Sequence, residues 1–426
     1  MHKVKVVVSF LQLLFVSSIL GVLVDAAINY DYRGTHTHKQ HILPLYYKLD
    51  LKYLEENDFI IGESRITIYI QENTQQLSFD SFVSIDEINL YKIIPTNITL
   101  KETYTREYLQ PIDELKSISY DQVFGFVIID FRKIIVSGYY VLQIKFSESF
   151  VETMNTDGYI RVFNQIKGRW IIATQTQVEG PQAIFPCWDN PHFKIIFHVS
   201  ICHSRKYEIL FMHKNSSTEL ISRSHLIWTH FEPTPAVSAH CIDILVIPTY
   251  TSKWTLVPYN FTLTMLLRVG PSHKFAFDII EEIIGYLMKQ TLVDRCKVAH
   301  TTYISVRDFP FISLVTPSFA LFSEEVITFS DKTPTDLQIM TVAQLLTETI
   351  TYQWILRSTN PLYWSSSRLK QMSTFLVIYL PSQIFVPIYK KRYPSFQGID
   401  TGQSLILDVH DINLILTSKT TPFSDI

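Results

Sequence analysis

Histidine is the residue type in this sequence best suited to hold a metal ion, because neutral imidazole is a common zinc ligand. His36, His38 and His41 are closely spaced within a polar segment, residues 28–41. A metal site is one interpretation of this group, and a solvated lead-in segment is the other. The histidines beyond residue 250 are His273, His300 and His410. No two of these lie four residues apart, the spacing that places two ligands on one face of a helix.

Other motifs that would indicate a catalytic chemistry are missing from the sequence. The phosphate-binding patterns GxGxxG and GxxxxGK[ST] do not occur, and neither does the serine-nucleophile pattern GxSxG. The chain has 37 basic and 40 acidic residues and a net charge of -3, so it lacks the basic footprint of a nucleic-acid-binding protein. We therefore expect no nucleic-acid partner.

The four cysteines are too few to form a disulfide scaffold in a chain of 426 residues. They are Cys187, Cys202, Cys241 and Cys296. Cys202 and Cys241 both lie in strand-like segments and could pair. Buried thiols are the alternative.

The N-terminus has the pattern of a secretory signal peptide. Lys3 and Lys5 precede a mostly apolar run, residues 6–24, and small residues suited to cleavage follow at 24–27. The sequence therefore predicts a signal peptide over residues 1–26 and a polar lead-in over 27–42. The apolar run is also long enough for an uncleaved signal anchor. A later apolar segment, Phe375 to Tyr389, contains two prolines and is interpreted as a buried core segment.

Three glycosylation sequons agree with a secretory route. The acceptor residues are Asn97, Asn215 and Asn260, each followed two residues later by serine or threonine. The sequence predicts a secreted glycoprotein, and the alternative is a plasma-membrane protein held by the uncleaved anchor.

Two kinds of secondary structure divide the chain near residue 250. Short alternating or β-branched segments separated by turn residues fill residues 43–249 and predict an antiparallel β domain. Residues 250–426 add helical spacing, with predicted helices over Phe275 to Lys289 and Leu337 to Leu356, after one more strand near Phe261 to Val269. We therefore expect an α+β protein with two domains.

Several segments together resemble the aminopeptidase N type of zinc metallopeptidase, a gluzincin family. The sequence LPLYYKL at residues 43–49 is similar to the start of the family's β domain. Residues 174–177 and 183–191 read TQTQ and AIFPCWDNP, where the family has TQ…RxAFPCxDEP. The resemblance extends over about 43–423. It implies an N-terminal β saddle or sandwich at 43–249, followed by a partial, C-terminally shortened thermolysin-like α/β domain at 250–426.

The family's zinc motif is degenerate in this sequence. The family has HExxHQW where this chain has ETITYQW at residues 348–354. The resemblance therefore places Glu348 and Tyr352 at the two histidine ligands and Thr349 at the general base. The family's spacing places Gln371 at the third ligand, which is a glutamate in the family. Tyrosine and amide oxygens do not make a good zinc site, so no cofactor is expected, and zinc is expected only if the family activity survives.

The family's exopeptidase signature, GAMEN, is also degenerate. Residues 326–329 read VITF where the family has LITY, and counting back places Phe322 at the glutamate that holds the substrate amine. An alternative alignment with a two-residue deletion places Glu324 there. Gln175 matches the β-domain glutamine that also contacts this amine in the family.

The resemblance implies a catalytically inactive homologue of a zinc aminopeptidase, with a role in binding a peptide or protein partner. Another member of the family is one such partner. Two competing interpretations remain: a helix face that is merely solvated at Glu348, Thr349 and Tyr352, and a functional metalloaminopeptidase that releases N-terminal residues from peptides.

Overall fold

A computed structural model provides the fold of the chain. It describes residues 41–54, 59–94, 109–112, 114–121, 125–149, 155–156, 158–164, 168–175, 180–190, 193–213, 215–222, 224–249, 254–256, 262–266, 271–290, 300–328 and 336–358. Residues 42–426 form one unit, and residues 1–41 form another. The predicted signal peptide, most of the polar lead-in and the segment Phe375 to Tyr389 lie outside the described residues.

The part of the chain before residue 250 is built from strands, as predicted. Its strands are β1 (Ile42–Leu54), β2 (Phe59–Ile70), β3 (Thr74–Asp80), β4 (Ser84–Ile93), β5 (Leu109–Pro111), β6 (Leu115–Asp121), β7 (Phe126–Ile135), β8 (Gly138–Ser149), β9 (Asn155–Thr156), β10 (Tyr159–Asn164), β11 (Arg169–Thr174), β12 (Ile196–Ser204), β13 (Tyr207–Phe211), β14 (Asn215–Leu220), β15 (Leu226–Phe231) and β16 (Ile244–Pro248).

An eight-stranded sheet in the order β14-β15-β12-β1-β2-β8-β4-β5 forms one layer of this domain. Buried and partly exposed residues alternate along β1, so one face of the sheet enters the core and the other carries polar side chains. Leu49 is fully buried, whereas its neighbour Lys48 is only partly covered. The sheet is not purely antiparallel, since β1 and β12 pair in parallel.

Two smaller sheets complete the β sandwich. Strands β3-β7-β6 form a three-stranded sheet, and β13-β16-β11-β10-β9 form a five-stranded one. All three sheets contribute to one hydrophobic core, for example through Ile66 of the large sheet, Phe79 of the three-stranded sheet and Ile172 of the five-stranded sheet. Burial of such side chains is the main force that holds the layers together.

The part of the chain after residue 250 mixes strands and helices. Its elements are β17 (Trp254–Leu256), β18 (Thr262–Leu266), α1 (Pro271–Gln290), β19 (His300–Val306), β20 (Ser313–Val315), β21 (Phe319–Ser323), α2 (Glu324–Ile327) and α3 (Asp336–Ser358). The strands form a sheet in the order β17-β18-β19-β21-β20, in which β18, β19 and β21 run parallel. Both predicted helices and the predicted strand are present, and α1 packs against α3.

A second hydrophobic core joins the two parts of the chain across residue 250. Ile160, Val162 and Leu245 come from the five-stranded sheet of the β domain, and Ile304 and Leu321 come from β19 and β21. The carboxyl group of Asp243, which is fully buried, accepts hydrogen bonds from the backbone nitrogen and the hydroxyl of Ser318, at 3.1 and 3.2 Å. The boundary in the sequence is therefore not a boundary in the packing.

Candidate functional site

Helix α3 carries the residues that stand at the family's zinc motif. Its buried face includes Val342, Leu346 and Ile350, which recur at helical spacing. Thr349 is only 5% exposed and lies on this buried side of the helix. The interpretation of this segment as a solvated face is therefore wrong for Thr349. The position that the resemblance assigns to a general base holds a buried hydroxyl group.

Gln353 fixes helix α3 to the strands beneath it. Its side chain is 1% exposed. The Tyr303 hydroxyl donates a hydrogen bond of 2.7 Å to Gln353 Oε1, and Gln353 Nε2 donates one of 2.8 Å to the carbonyl oxygen of Thr316. In the sequence, Gln353 served only to align the motif, and its structural role was not predicted. The signal available was a polar residue at a position that the helical spacing places inside the core.

Glu348 lies beside Thr349 on the partly covered side of α3. Gln344, one turn earlier, donates a hydrogen bond of 2.9 Å from Nε2 to Glu348 Oε1. Burial raises the pKa of the Glu348 carboxyl above its ordinary value, and the hydrogen bond from Gln344 opposes this effect. The carboxyl group is thus held by a neighbour in its own helix.

Only one of the family's three zinc-ligand positions has a described side chain in this structure. No group of three histidine, cysteine, aspartate or glutamate side chains is close enough to hold a metal ion in the part of the chain that the structure describes. Tyr352 belongs to α3, but its side chain is outside the described set, and Gln371 lies outside the described residues altogether. Of the family's ligand positions, only Glu348 presents a described ligating group.

Phe322, the residue aligned with the family's amine-binding glutamate, is part of a core. It lies in β21 opposite Ser305 of β19, is 1% exposed, and its ring lies 6.2 Å from that of Tyr303. Glu324, the alternative in the second alignment, is the first residue of α2 and is partly exposed. Phe322 therefore offers no group to a substrate amine.

Gln175 follows β11, and its backbone is hydrogen-bonded to Gly158, a residue that lies very close to Ala183. Its backbone nitrogen donates a hydrogen bond of 2.7 Å to the carbonyl oxygen of Gly158. Gly158 has φ +90, and a Cβ added there would lie 2.3 Å from the carbonyl oxygen of Ala183. Only glycine fits this contact without a shift of the backbone. The contact joins Gly158, which precedes β10, to Ala183, the first residue of the AIFPCWDNP motif.

The AIFPCWDNP motif contributes mainly to the core of the β domain. Phe185 and Trp188 are buried in it, and Cys187 exchanges backbone hydrogen bonds with Asp80 at 2.7 and 3.0 Å. The backbone nitrogen of Asp189 donates to Asp80 Oδ2 at 2.8 Å. Burial, together with the negative charge of Asp80, raises the pKa of Asp189 to about 7. The most specific motif in the sequence is thus, in its described part, structural.

The structure also bears on the predicted cysteine pairing, on one of the three sequons and on the possibility of a membrane span. No disulfide joins Cys202 to Cys241, so the predicted pairing of these two cysteines is not present. Asn215 is exposed, whereas Asn97 and Asn260 lie outside the described residues. None of the helices in the described residues is both long enough and apolar enough to span a membrane.

Comparison with known proteins identifies the class to which the β domain belongs. Residues 43–240 match the family described as Peptidase M1 N-terminal domain. This range covers the β sandwich from β1 to β15, and β16 follows directly after it. The three motifs discussed above, from LPLYYKL to AIFPCWDNP, fall within the matched range.

Several curated proteins are similar to the chain over a longer range. Aminopeptidase M1-A of Oryza sativa subsp. japonica is 22% identical over 323 residues, which cover 74% of this chain and 35% of that protein. Thyrotropin-releasing hormone-degrading ectoenzyme of Rattus norvegicus is 21% identical over 379 residues, 86% of this chain and 34% of that protein. Endoplasmic reticulum aminopeptidase 2 of Homo sapiens is 23% identical over 340 residues, which cover 78% of this chain and 33% of that protein. Residues 43–240 therefore belong to the M1 peptidase N-terminal domain family, and the chain as a whole is similar to M1 aminopeptidases. The chain spans about one third of the length of these relatives.

Proposed function

We propose that this chain is a catalytically inactive member of the M1 aminopeptidase family whose role is to bind a peptide or protein partner. The observation that carries the proposal is Thr349, a buried residue that stands at the family's general-base position. A threonine hydroxyl lacks a carboxylate's ability to take up a proton, and removal of a positioned general base typically costs a factor of about 100 to 10,000 in rate.

The neighbouring positions support the same conclusion. Glu348 stands at a histidine ligand position and is hydrogen-bonded to Gln344 within the helix. Phe322 stands at the amine-binding glutamate and is buried in a core. Loss of the base and of the histidine ligand each removes a separate requirement of the reaction, and in the first alignment the amine-binding carboxylate is lost as well.

A secretory route is part of the proposal. The support comes from the signal-like N-terminus and from relatives that are named an ectoenzyme and an endoplasmic reticulum aminopeptidase. The secreted protein would meet partners outside the cytosol, including other M1 family members. An anchored form would meet the same partners at the plasma membrane.

Metal content and hydrolysis test the loss of catalysis. The full chain, purified from a secretory host, is assayed for zinc by elemental mass spectrometry and for release of amine from amino-acid anilides. We expect no stoichiometric zinc and no hydrolysis above the level of a Glu348→Ala, Thr349→Ala double variant. One zinc per chain together with chelator-sensitive hydrolysis would contradict the proposal and favour a functional metalloaminopeptidase.

Co-expression tests the binding role. The chain is produced together with an active M1 aminopeptidase carrying a different affinity tag, and complexes are measured by light scattering after purification through both tags. A complex with a defined ratio of subunits supports the binding of a family member. If no complex forms, and if columns of immobilised peptide mixtures do not retain the chain, the binding role is wrong.

A further inference from the structure

Asn215 begins the strand at one edge of the eight-stranded sheet. We propose that Asn215 is N-glycosylated and that its glycan shields edge strand β14 from pairing with a second copy of the chain. The inference rests on the secretory route proposed above, because oligosaccharide transfer occurs only in that route. It concerns a face of the β domain that contains none of the residues of the degenerate zinc motif.

Strand β14 is an unusually open edge. It is the outermost strand of the described sheet, paired with β15, and all six of its residues, Asn215 to Leu220, are exposed. At ~3.4 Å per residue it offers an edge of roughly 20 Å. Unpaired backbone groups along such an edge are a template for pairing with another strand. The apolar side chain of Leu220, 61% exposed, adds to this tendency.

The opposite edge of the same sheet is protected in a different way. Strand β5 is three residues long and ends at Pro111, which has no backbone N–H to donate. Strand β14 contains no proline and no lysine, and its one charged residue is Glu219. The sequon is therefore the feature of β14 that could supply the missing protection.

The local backbone leaves the acceptor residue accessible. The pairing of β14 with β15 is irregular between Asn215 and Ser217. The Ser216 hydroxyl donates a hydrogen bond of 3.1 Å to the carbonyl oxygen of His230, so the middle residue of the sequon is turned back onto the sheet. Asn215 and Ser217, the two residues that define the sequon, are both exposed.

The modification needs one co-reactant, an oligosaccharide joined through diphosphate to a polyprenyl lipid. The side-chain nitrogen of Asn215 loses a proton to a base of the transferase and forms a bond with the anomeric carbon of the first N-acetylated sugar. The bond between that carbon and the lipid diphosphate oxygen breaks, and the lipid diphosphate leaves. A neutral glycosyl amide results, so the strand gains bulk and hydration without gaining charge.

The modification is tested with the full chain secreted from a eukaryotic host. Glycopeptide mass spectrometry should find a glycan on Asn215 of the wild type, and both Asn215→Gln and Ser217→Ala should remove it. Ser216→Ala and Ser217→Thr retain the sequon and serve as matched controls that should keep the glycan. A secreted chain glycosylated at Asn97 or Asn260 but not at Asn215 would overturn the site while leaving the secretory route intact. A chain that remains in the cytosol without any glycan would overturn both.

The shielding role is tested by the oligomeric state. Light scattering over a concentration series should show monomers for the wild type and for both controls, and concentration-dependent association for Asn215→Gln and for Ser217→Ala. Lys introduced by Thr218→Lys in the Asn215→Gln background should restore the monomer, because a charged edge strand resists pairing. If the unglycosylated forms remain monomeric at every concentration, the glycan does not shield the edge and the proposal is overturned.

Discussion

The Tyr303 hydroxyl lies 2.7 Å from Gln353 Oε1. This hydrogen bond joins β19, the central strand of the sheet after residue 250, to helix α3. Both side chains are buried, at 2% and 1% exposure. Buried polar groups must find partners, and these two satisfy each other while Gln353 Nε2 is satisfied by the carbonyl oxygen of Thr316. The helix that carries Glu348 and Thr349 is therefore held in one position by a polar contact in addition to apolar packing.

Removal of the Tyr303 hydroxyl should destabilise this part of the protein. Tyr303→Phe keeps the ring but leaves Gln353 Oε1 buried without this donor, and the expected loss is about 1–3 kcal/mol in the free energy of unfolding. Urea unfolding followed by tryptophan fluorescence measures it. Tyr139→Phe, at a residue that is 52% exposed, is the matched control and should change stability very little. Equal stability of the two variants would contradict the role given to this hydrogen bond.

The buried Asp243 should contribute to the association of the two parts of the chain. Asp243→Ala removes the acceptor for both the nitrogen and the hydroxyl of Ser318, and a buried N–H left without a partner costs about 1–3 kcal/mol. Ser318→Ala loses only the hydroxyl bond, so its effect on the free energy of unfolding should be smaller. Chemical denaturation of both variants checks the order. A larger effect of Ser318→Ala would show that the backbone hydrogen bond contributes little.

Gly158 should not tolerate a side chain. Its φ of +90 is unfavourable for other residues, and the added Cβ would lie 2.3 Å from the backbone oxygen of Ala183. Backbone strain alone costs about 1–3 kcal/mol, so Gly158→Ala should lower the thermal midpoint by several degrees. Gly168→Ala is the control, since its φ is +60 but nothing lies within 4 Å of an added Cβ. Similar losses in both variants would mean that the close contact adds nothing to the strain.

Asp189 should make the β domain less stable as the pH rises. Its pKa is about 7 in the folded chain against an ordinary value of 3.8, so the folded state holds the proton more tightly than the unfolded state. Its contribution to stability is complete below the ordinary value and is lost as the pH rises toward 7. Asp189→Asn, which imitates the protonated form, should remove this loss. Thermal midpoints measured from pH 4 to pH 8 test it.

The buried side chain of His240 changes the stability with pH in the opposite direction over nearly the same pH interval. Burial, and secondarily the charge of Lys194, lowers the pKa of His240 to about 3 from an ordinary 6.5. Its contribution to stability is present above the ordinary value and is lost as the pH falls. The wild type alone therefore cannot separate the two effects, and the informative quantity is the difference between the wild type and Asp189→Asn. If that difference is constant across the interval, Asp189 does not titrate as the structure indicates.

Thr349→Glu should destabilise the chain without restoring a metal site. A carboxylate placed at a position that is 5% exposed, next to Glu348, lacks a partner, and the expected cost is about 2 kcal/mol or more. Thr349→Ser keeps the hydroxyl and is the control. Differential scanning fluorimetry with and without zinc measures both variants. A rise of several degrees in the midpoint of Thr349→Glu on addition of zinc would contradict the expectation that no metal site is restored.

The fold was largely predictable from the sequence, and the surroundings of the site were not. Alternation identified β1 and β2, and helical spacing identified α1 and α3, because these patterns depend on neighbours along the chain. The burial of Thr349 and Gln353 could not be predicted in this way, since it depends on which face of α3 meets β19 and on contacts distant in sequence. Phe322 could be aligned with a functional position, but only the pairing of β21 with β19 places it in a core.

The core shared across residue 250 determines how the protein would respond to a cut. If a protease severed the chain between Pro248 and Trp254, Leu245 and Ile247 would still be packed against Ile304 and Leu321. The two fragments would remain one particle in native buffer and would separate only in denaturant. Size measured under native conditions would thus conceal the cleavage, and electrophoresis in detergent would reveal it.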